Sequence, residues 1–291
     1  MLELIRARVD ATFQREARET STIECGAHLF FLRSSEGSPV ASSFYEPALC
    51  LVLQGAKETT CGERTLRLTA GDSGIISHHV PVYARILNAS KKLPYYALIA
   101  RLDLSLIRSL CVELEQSAHR RDAFAVDRGA SDEPMLKTLD RMIEASVDPI
   151  ETELLGDGLR RELHLRVLRA SHGEMLRRMQ PSDSDESKVA RAIGYIRQNY
   201  RNGLSVPEVA QVVAMSDSSF YQKFKTVTGT TPLQYQKALR LTEAKDLLTS
   251  EKVQVSDVAF AVGYESPSHF SKDYKRHFGL SPNETRMRVV G

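Results

Sequence analysis

The spacing of hydrophobic positions changes along the chain and divides it into regions. Leu2, Ile5, Val9 and Phe13 lie at helical spacing, which predicts an amphipathic helix over about the first twenty residues. From residue 28 onwards the pattern changes to short apolar or alternating runs separated by Gly, Pro and Asn. Such runs are typical of short strands, and at least six of them predict an antiparallel barrel or sandwich over about residues 20–102.

Helical spacing returns after the strands. Three apolar stripes, which begin at Leu104, Met135 and Leu155, predict helices over about residues 103–180. Helices that follow a small barrel either close its mouth or form a dimer seam, and the pattern leaves both alternatives open. The polar run at 181–187 then predicts a linker between a first domain, residues 1–180, and a second domain, residues 188–291.

The second domain contains a sequence that is written twice. The positions that match at an offset of fifty are Ser216, Phe220, Phe224, Lys225, Gly229 and Pro232 against Ser266, Phe270, Tyr274, Lys275, Gly279 and Pro282. Each copy predicts a short helix, a tight turn and a second helix, with Ser216 and Ser266 as N-caps. Two copies are too few for a solenoid. They favour a paired DNA-binding unit, and the helix predicted at 232–250 would separate the two by about 25 Å.

The buried positions of each second helix identify its outer face. Because Phe220 and Phe224, like Phe270 and Tyr274, lie four residues apart, they are predicted to face the core. Gln, Lys, Ser and His side chains can bind base edges, whereas cations near the helix ends suit phosphates. The predicted DNA-contacting residues are Ser218, Tyr221, Gln222, Lys225, Ser268, His269, Ser271, Lys272, Lys275 and Arg276.

Charge supports this assignment. From Lys188 onwards 15 Lys and Arg side chains stand against 9 Asp and Glu, although the whole chain carries only +2. A basic module joined to a neutral or acidic one favours a partner rich in phosphate. The N-terminus is charged and no run approaches the roughly 20 apolar residues of a membrane span, so we expect a cytoplasmic protein without membrane contact.

The segment from about Val189 to Arg288 resembles the C-terminal domain of the AraC/XylS transcription regulators. The resemblance rests on the run from Val258 to Pro282 and on the weaker first copy, in which Ala214 and Met215 stand where Gly and an aromatic residue are common. It implies two helix-turn-helix units that enter adjacent major grooves of double-stranded DNA. The base-reading residues it implies are Ser218, Tyr221, Gln222, Ser268, His269 and Lys272.

The first domain resembles the N-terminal domain of one AraC-type subgroup through residues 44–57 and through Gly71 and Asp72. This implies an α+β multidomain fold, with a cupin-like barrel and helical dimerisation segment before an all-α double helix-turn-helix domain. It also implies effector sensing, dimerisation or both, and it makes a homodimer and RNA polymerase expected partners. A barrel that only dimerises, independently of any ligand, remains an alternative.

If the barrel binds an effector, inward-facing strand residues would line the pocket, and an arginine would meet an anionic group. The candidate effector residues are Phe30, Leu51, Leu53, Ile76, His78, Tyr83, Arg85 and Arg101. Binding of the effector would change the relative position of the barrel and the DNA-binding unit, which the linker connects, through a shift in the populations of two arrangements.

A metal-dependent cupin enzyme is the rival hypothesis. His78 and His79 are adjacent in an expected strand, so at most one would face the interior, and there is no HxH motif. The four cysteines show no CxxC spacing. We therefore expect no enzyme activity, no catalytic residue, no metal and no cofactor.

Overall fold

The computed structural model describes residues 1–16, 21–26, 28–114, 124–179, 183–250 and 253–290. The strands of this part are β1 Ser21–Cys25, β2 Leu29–Ser34, β3 Ala41–Tyr45, β4 Ala48–Gln54, β5 Ala56–Cys61, β6 Arg64–Thr69, β7 Asp72–Ile76, β8 Val80–Leu87, β9 Tyr95–Arg101 and β10 Val126–Ala130. The helices are α1 Leu2–Arg15, α2 Leu104–Leu114, α3 Glu133–Ala145, α4 Pro149–Arg169, α5 Glu174–Arg178, α6 Asp185–Asn199, α7 Val206–Val212, α8 Asp217–Thr228, α9 Pro232–Ser250, α10 Val255–Ala261, α11 Pro267–Phe278 and α12 Pro282–Val290.

The strands form two antiparallel sheets. One sheet has the order β1-β2-β9-β4-β7-β10, and the other has the order β3-β8-β5-β6. Two turns between strands contain a glycine with positive φ: Gly62, in the hairpin between β5 and β6, at 60°, and Gly71, where the chain passes from β6 in one sheet to β7 in the other, at 91°. These turns require glycine because other residues are strained there. The two sheets enclose the apolar interior of the first domain.

Strand pairing shows which side chains face that interior. Cys50 lies opposite Ile99, and Val52 lies opposite Ala97, on the face that points into the barrel. Leu51 lies opposite Leu98 on the other face, where α1 covers the sheet. Both faces of β4 are therefore buried, which explains why its apolar residues run without alternation.

Two features of the first domain differ from the sequence prediction. Strand β10 lies within the segment predicted to be helical and pairs with β7, with Val126 opposite Ile76. Its sequence, Val-Asp-Arg-Gly-Ala, is too short and too polar to signal a strand, so only the pairing partner identifies it. His78 and His79 were expected in a strand with opposite orientations, but they lie between β7 and β8 and both are buried.

The second domain contains α6 to α12. Part of the predicted linker at 181–187 belongs to α6, because the Ser184 side chain accepts a hydrogen bond from the Ser187 amide and caps a helix that begins at Asp185. Gln180, Pro181 and Ser182 lie outside the described residues. One apolar cluster includes Phe31 and Leu49 of the barrel as well as Phe220 and Phe224 of α8, so the first helix-turn-helix unit shares its core with the first domain.

In the part of the chain that is described, no helix combines the length and the apolar character needed to cross a membrane.

Candidate nucleic-acid interface

Helices α8 and α11 have the same local construction. The side chains of Ser216 and Ser266 accept hydrogen bonds from the amides of Ser219 and His269 and so cap the two N-termini. Each helix ends at a glycine with positive φ, Gly229 at 71° and Gly279 at 76°. The same twelve-residue helix is thus produced twice by matching signals.

Aromatic pairs fix the orientation of both helices. Phe220 and Phe224 are fully buried with ring centroids 5.5 Å apart, and Phe270 and Tyr274 repeat this arrangement at 5.5 Å. Of the sequence-predicted contact residues, nine are exposed and Ser271 is half-buried. The exposed ones are Ser218, Tyr221, Gln222 and Lys225 on α8, and Ser268, His269, Lys272, Lys275 and Arg276 on α11. Each helix therefore presents one polar face that can reach base edges and phosphates.

The turns before the two helices differ. Gly263 has a φ of 88°, and a Cβ atom there would lie 2.1 Å from the carbonyl oxygen of Arg201, so only glycine fits. The first copy has Ala214 at the matching position, with a φ of 55°. An alanine in this left-handed conformation costs about 1–2 kcal/mol. The first copy therefore has a strained turn where the second has a relaxed one.

Asp273 was not identified from the sequence, yet it joins α11 to α9. Its side chain is 3% exposed, and its carboxylate lies 2.5 Å from Lys237 Nζ on α9 and 2.6 Å from Arg276 Nη2. The hydroxyl of Tyr264 donates to it at 3.4 Å. The sequence signal available was an acidic residue on a helix face otherwise occupied by Phe270 and Tyr274. We call α8 and α11 the first and second reading helices. The Asp273 carboxylate thus fixes the second reading helix against α9.

Helix α9 is also held at its other side. Gln236 Nε2 donates to the carbonyl oxygens of Tyr200 and Asn202 at 2.9 and 2.6 Å, and Arg240 Nε donates to the Tyr200 carbonyl at 2.6 Å. Tyr200 is the C-cap of α6, where carbonyls lack partners within their own helix, and Asn202 lies in the turn that follows. Helix α9 is thus fixed to the α6 end and, through Lys237, to α11.

The barrel packs against this domain through β3, β8 and the β5–β6 turn. The hydroxyl of Tyr235 on α9 donates to the His79 carbonyl at 2.8 Å and lies 2.9 Å from His79 Nδ1. Phe44 stacks on His79 at a centroid distance of 4.7 Å. On α11, His277 Nε2 lies 2.7 Å from Ser42 Oγ. The contact thus includes both α9 and the second reading helix.

The first reading helix meets the barrel at two glycines. A Cβ on Gly62 would lie 2.5 Å from the Cα of Gly229, so the two backbones touch. Beside this contact is a cavity of about 500 Å³ between the β5–β6 hairpin and α8. Tyr221, Gln222 and Lys225 line it from α8, and Arg64 lines it from the barrel. Three of the predicted DNA contacts therefore face a space that the barrel partly encloses.

The predicted effector residues do not form one cluster. Phe30, opposite Ile99, and Ile76, opposite Ala48, are on the face of the sheet that points inward. Leu51 lies on the helix-covered face, opposite Ser73, whose hydroxyl contacts His172 at 2.9 Å; Leu53, two positions further along β4, is also buried. The prediction of Leu51 as pocket lining is wrong, because a strand buried on both faces gives no alternation from which to choose the inner one.

Two further effector candidates lie outside the barrel interior, whereas Arg101 lies opposite Ala48 on the inward face of its sheet. Tyr83 is 47% exposed and lies 6.2 Å, between ring centroids, from His277. Arg85 pairs with Glu58 at 2.5 Å on the outer face of the four-stranded sheet. Arg101 is exposed, with its guanidinium 4.5 Å from the ring centroid of Phe30. Tyr83 and Arg85 alternate along β8 with the less exposed Val82 and Ala84, so they lie on the outer face rather than on the predicted inner one.

His78 is buried but lies outside the strands. Its Nδ1 is 2.8 Å from the hydroxyl of Ser77, and burial lowers its pKa to about 4. Burial likewise lowers the pKa of His79 to about 3. Both imidazoles are therefore neutral at physiological pH. Among the described residues, no group of three or more His, Cys, Asp and Glu side chains is arranged to hold a metal ion.

A polar cluster inside the barrel was missed by the sequence analysis. Lys57 Nζ donates to the hydroxyl of Tyr45 at 2.8 Å, and it lies 4.8 Å from the centroid of that ring. Tyr95, 1% exposed, has a buried hydroxyl without a hydrogen-bond partner in the described part of the chain. Lys57 is the second residue of β5, and the sequence Ala-Lys-Glu-Thr-Thr-Cys has no apolar alternation that would show which of its side chains face inward.

Comparison with known proteins identifies both domains. Residues 27–175 match the family of the AraC-type transcriptional regulator N-terminus, and residues 209–288 match a helix-turn-helix domain family. The transcriptional activator RhaS of Yersinia pestis (strain Pestoides F) is 30% identical over 110 residues, which cover 38% of this chain and 40% of RhaS. The lactose operon transcription activator of Staphylococcus xylosus is 34% identical over 98 residues, 34% of this chain and 35% of that protein. The aligned region thus spans about two fifths of such relatives or less.

A solved structure extends the similarity of fold to nearly the whole chain. ToxT from Vibrio cholerae, in a crystal structure with bound unsaturated fatty acid, superposes with a TM-score of 0.62 over 93% of this chain and 97% of ToxT, at 11% identity. An identity this low establishes shared architecture only. Because the N-terminal family covers 149 of the 291 residues and the paired helix-turn-helix units follow it, the chain belongs to the AraC/XylS family of transcriptional regulators.

Proposed function

We propose that the protein binds a specific double-stranded DNA sequence through α8 and α11 and regulates transcription in response to a small effector held by the barrel. The observation that carries this proposal is the pair of matched helices, each capped by serine, packed through aromatic residues and polar on its free face. Helix α9 joins them as a rigid spacer. Two such helices can enter adjacent major grooves about 34 Å apart.

The side chains of the two polar faces fall into two roles. Gln222 can bind adenine with both ends of its amide, and Lys272 can bind guanine, so these residues would select sequence together with Ser218, Tyr221, Ser268 and His269. Lys225, Lys275 and Arg276 lie in the second half of their helices. There they would contact phosphates and raise affinity for every sequence alike.

The barrel would control access to the first reading helix. Since Tyr221, Gln222 and Lys225 line the cavity beside the β5–β6 hairpin, a DNA groove and the docked hairpin compete for the same side of α8. The docked arrangement is then a state of low DNA affinity. An effector that binds the docked and undocked states with different affinities shifts their populations, and DNA binding follows.

Dimerisation would use the free face of α4. Ile150 and Leu154 on α4 are 66% and 74% exposed, and Val147, two residues before the helix begins, is 67% exposed, so the three lie at spacings of three and four residues. This is the spacing of a coiled-coil seam, and one helix face paired with its own copy gives a two-fold interface. The occupant we propose is therefore a second copy of this chain. Leu154→Lys should convert a dimer to a monomer in analytical ultracentrifugation, and a wild-type protein that is already monomeric would contradict the assignment.

RNA polymerase is the remaining partner that we propose. RhaS and the lactose operon protein are named as activators, and an activator must act on the polymerase.

The decisive experiment for the function is selection of bound sequences from a random duplex pool by the full-length protein. Enrichment of one site with two half-sites about one helical turn apart is expected. Binding without sequence enrichment would overturn the proposal.

A further inference from the structure

The side chain of Lys57 points into the barrel. In the four-stranded sheet it lies opposite Leu68 on β6 and Ile86 on β8, and Leu68 is buried. The next residue, Glu58, points the other way and pairs with Arg85 on the outer surface. Because neighbouring side chains of a strand alternate between its faces, Lys57 and Glu58 are separated by the sheet.

The positive charge of Lys57 has no carboxylate partner in the described part of the chain. Its hydrogen bond goes to a neutral phenol, Tyr45, and the titratable groups that act on it are Cys50, Tyr45 and Tyr95. Burial lowers the pKa of Lys57, whereas the ionised forms of these three groups and the hydrogen bond to Tyr45 raise it, with a net rise above the ordinary value. The Tyr45 ring, 4.8 Å from Nζ, also favours the ammonium form. Lys57 is partly buried, and a charge partly withdrawn from water without an opposite charge is destabilised, so an anion would stabilise it.

Tyr95 contributes a second unmet group at the same place. Its hydroxyl is buried and lacks a hydrogen-bond partner among the described residues, although buried hydroxyls nearly always have one. Lys57 and Cys50 lie close enough to perturb its pKa, which burial raises far above the ordinary value. Tyr95 thus stays protonated and remains a donor next to the ammonium.

We propose that Lys57 and Tyr95 bind the carboxylate of a small monocarboxylic acid inside the barrel, and that this acid is the effector. The inference rests on the proposed regulatory function, which it extends by naming the ligand class and its site. One carboxylate oxygen accepts from the Lys57 ammonium and the other accepts from the Tyr95 hydroxyl. Lys57 and Tyr45 are only partly buried, so the site can be reached from the end of β3.

The surroundings restrict the ligand further. A single ammonium balances one negative charge, so a phosphate dianion or a dicarboxylate would leave a buried charge unmet. Val52, Ala97 and Ile99 face the same interior as Cys50. These side chains suit an apolar body and leave a second polar group of the ligand without a partner. The expected effector is therefore an apolar acid with one carboxylate.

The test uses the full-length protein and a fixed set of probes, the straight-chain carboxylates from acetate to octanoate, each matched by its primary amide. We expect at least one acid to raise the melting temperature and to give a Kd by calorimetry, whereas its amide binds at least tenfold more weakly. Lys57→Met should lose at least tenfold in affinity for the acid. Tyr95→Phe, which retains the ring, should lose about threefold to tenfold.

Arg85→Met is the matched control. Arg85 was also predicted from the sequence as an effector residue, but it forms an ion pair with Glu58 on the outer surface of the barrel. Its removal should therefore leave the affinity for the acid unchanged. Without ligand, Lys57→Met should melt no lower than the wild type, because methionine fills the space without a buried charge. This second readout shows whether the variant folds.

The possible results separate the two proposals. Equal affinity of acid and amide, equal binding by Lys57→Met and wild type, or no shift with any acid at millimolar concentration would overturn the carboxylate site. Duplex selection by the protein with and without the acid is a separate measurement. If the acid binds through Lys57 but the protein selects no DNA sequence in either condition, the carboxylate site is retained and the regulatory function is refuted. If the protein selects a DNA sequence but no acid binds through Lys57, only the carboxylate site is refuted.

Discussion

His79 Nδ1 and the Tyr235 hydroxyl lie 2.9 Å apart and join the barrel to the spacer helix. Because the hydroxyl hydrogen goes to the His79 carbonyl at 2.8 Å, Nδ1 must carry the proton of the neutral imidazole and donate to the same oxygen. The ring of Tyr235 also packs edge-on against Phe44 and Phe224, at 5.3 and 5.5 Å. One side chain of α9 thus contacts the barrel and the first reading helix together.

Tyr235→Phe should weaken the docked state while it preserves the packing of the ring. Both hydrogen bonds are lost and two buried groups of His79 are left without a partner, at a cost of about 1–3 kcal/mol. Since undocking frees α8, DNA affinity should rise in a fluorescence anisotropy titration. Tyr195→Phe is the control, because the Tyr195 hydroxyl bonds to Glu208 within the second domain. Reduced or unchanged DNA affinity in Tyr235→Phe would contradict a docked state of low affinity.

Gly62→Ala should separate the β5–β6 turn from α8. The new methyl group would lie 2.5 Å from Gly229 Cα. Because the clash is with backbone atoms, it can be relieved only if the β5–β6 hairpin moves away from α8. We expect tighter DNA binding and faster hydrogen exchange at the C-terminal end of α8. Gly71→Ala carries a similar positive-φ cost, but its nearest neighbour is a Leu2 methyl at 3.8 Å. If both variants bind DNA equally, the glycine contact does not restrain α8.

The two roles assigned to the reading helices predict different variant behaviour. Gln222→Ala and Lys272→Ala should each lose about 1–3 kcal/mol of discrimination between bound and mismatched sites. Lys275→Ala should weaken binding to all duplexes similarly and reduce the salt dependence by about one ion. Competition titrations at several salt concentrations distinguish these outcomes. Equal loss of discrimination in all three variants would refute the division into base and phosphate contacts.

The two turns should respond in opposite directions to exchange of Ala and Gly. Ala214→Gly relieves a left-handed alanine and should raise the free energy of unfolding by about 0.5–1 kcal/mol. Gly263→Ala places a Cβ against the Arg201 carbonyl and should lower it by more than about 2 kcal/mol. Urea denaturation monitored by circular dichroism measures both. A loss of stability in Ala214→Gly would show that the first turn is not strained.

Stability should fall as the solution becomes acidic. The pKa of His79 is about 3 and that of His78 about 4 in the folded protein, whereas unfolded histidine titrates near 6.5. Between these values the unfolded chain binds more protons, so stability is fully present above about pH 6.5 and decreases down to about pH 4 for His78 and about pH 3 for His79. Denaturation at pH 7.5, 6, 5 and 4.5 measures the slope. His79→Asn should reduce that slope by about one proton, and an unchanged slope would contradict burial of a neutral His79.

Periodicity predicted the second domain better than the first. Phe220, Phe224, Phe270 and Tyr274 lie on clear helical stripes with recognisable caps, so both the helices and their free faces followed from local sequence. The barrel interior did not. Leu51 and Cys50 are both apolar and both buried, and only the pairing of β4 with β9 distinguishes their faces.

Contacts between distant segments account for the remaining differences. Asp273 and Lys237 are 36 positions apart, and His79 and Tyr235 are 156 positions apart, so no short-range pattern relates them. Segment 126–130 forms strand β10 because it pairs with β7 and so becomes the edge strand of the six-stranded sheet. Lys57 could be recognised as unusual only after the strand register had shown that it faces inward.

The attachment of α9 to the end of α6 and to α11 fixes the rotation between the two reading helices as well as their separation. Gln236 and Arg240 bind the end of α6, and Lys237 binds Asp273 on α11, so neither reader can turn independently of the spacer. One base pair inserted between two half-sites turns the second groove by about 35°, given about 10 base pairs per turn. A helix held in this way cannot follow that rotation. Promoters can therefore exclude this regulator through spacing alone, even where both half-site sequences are intact.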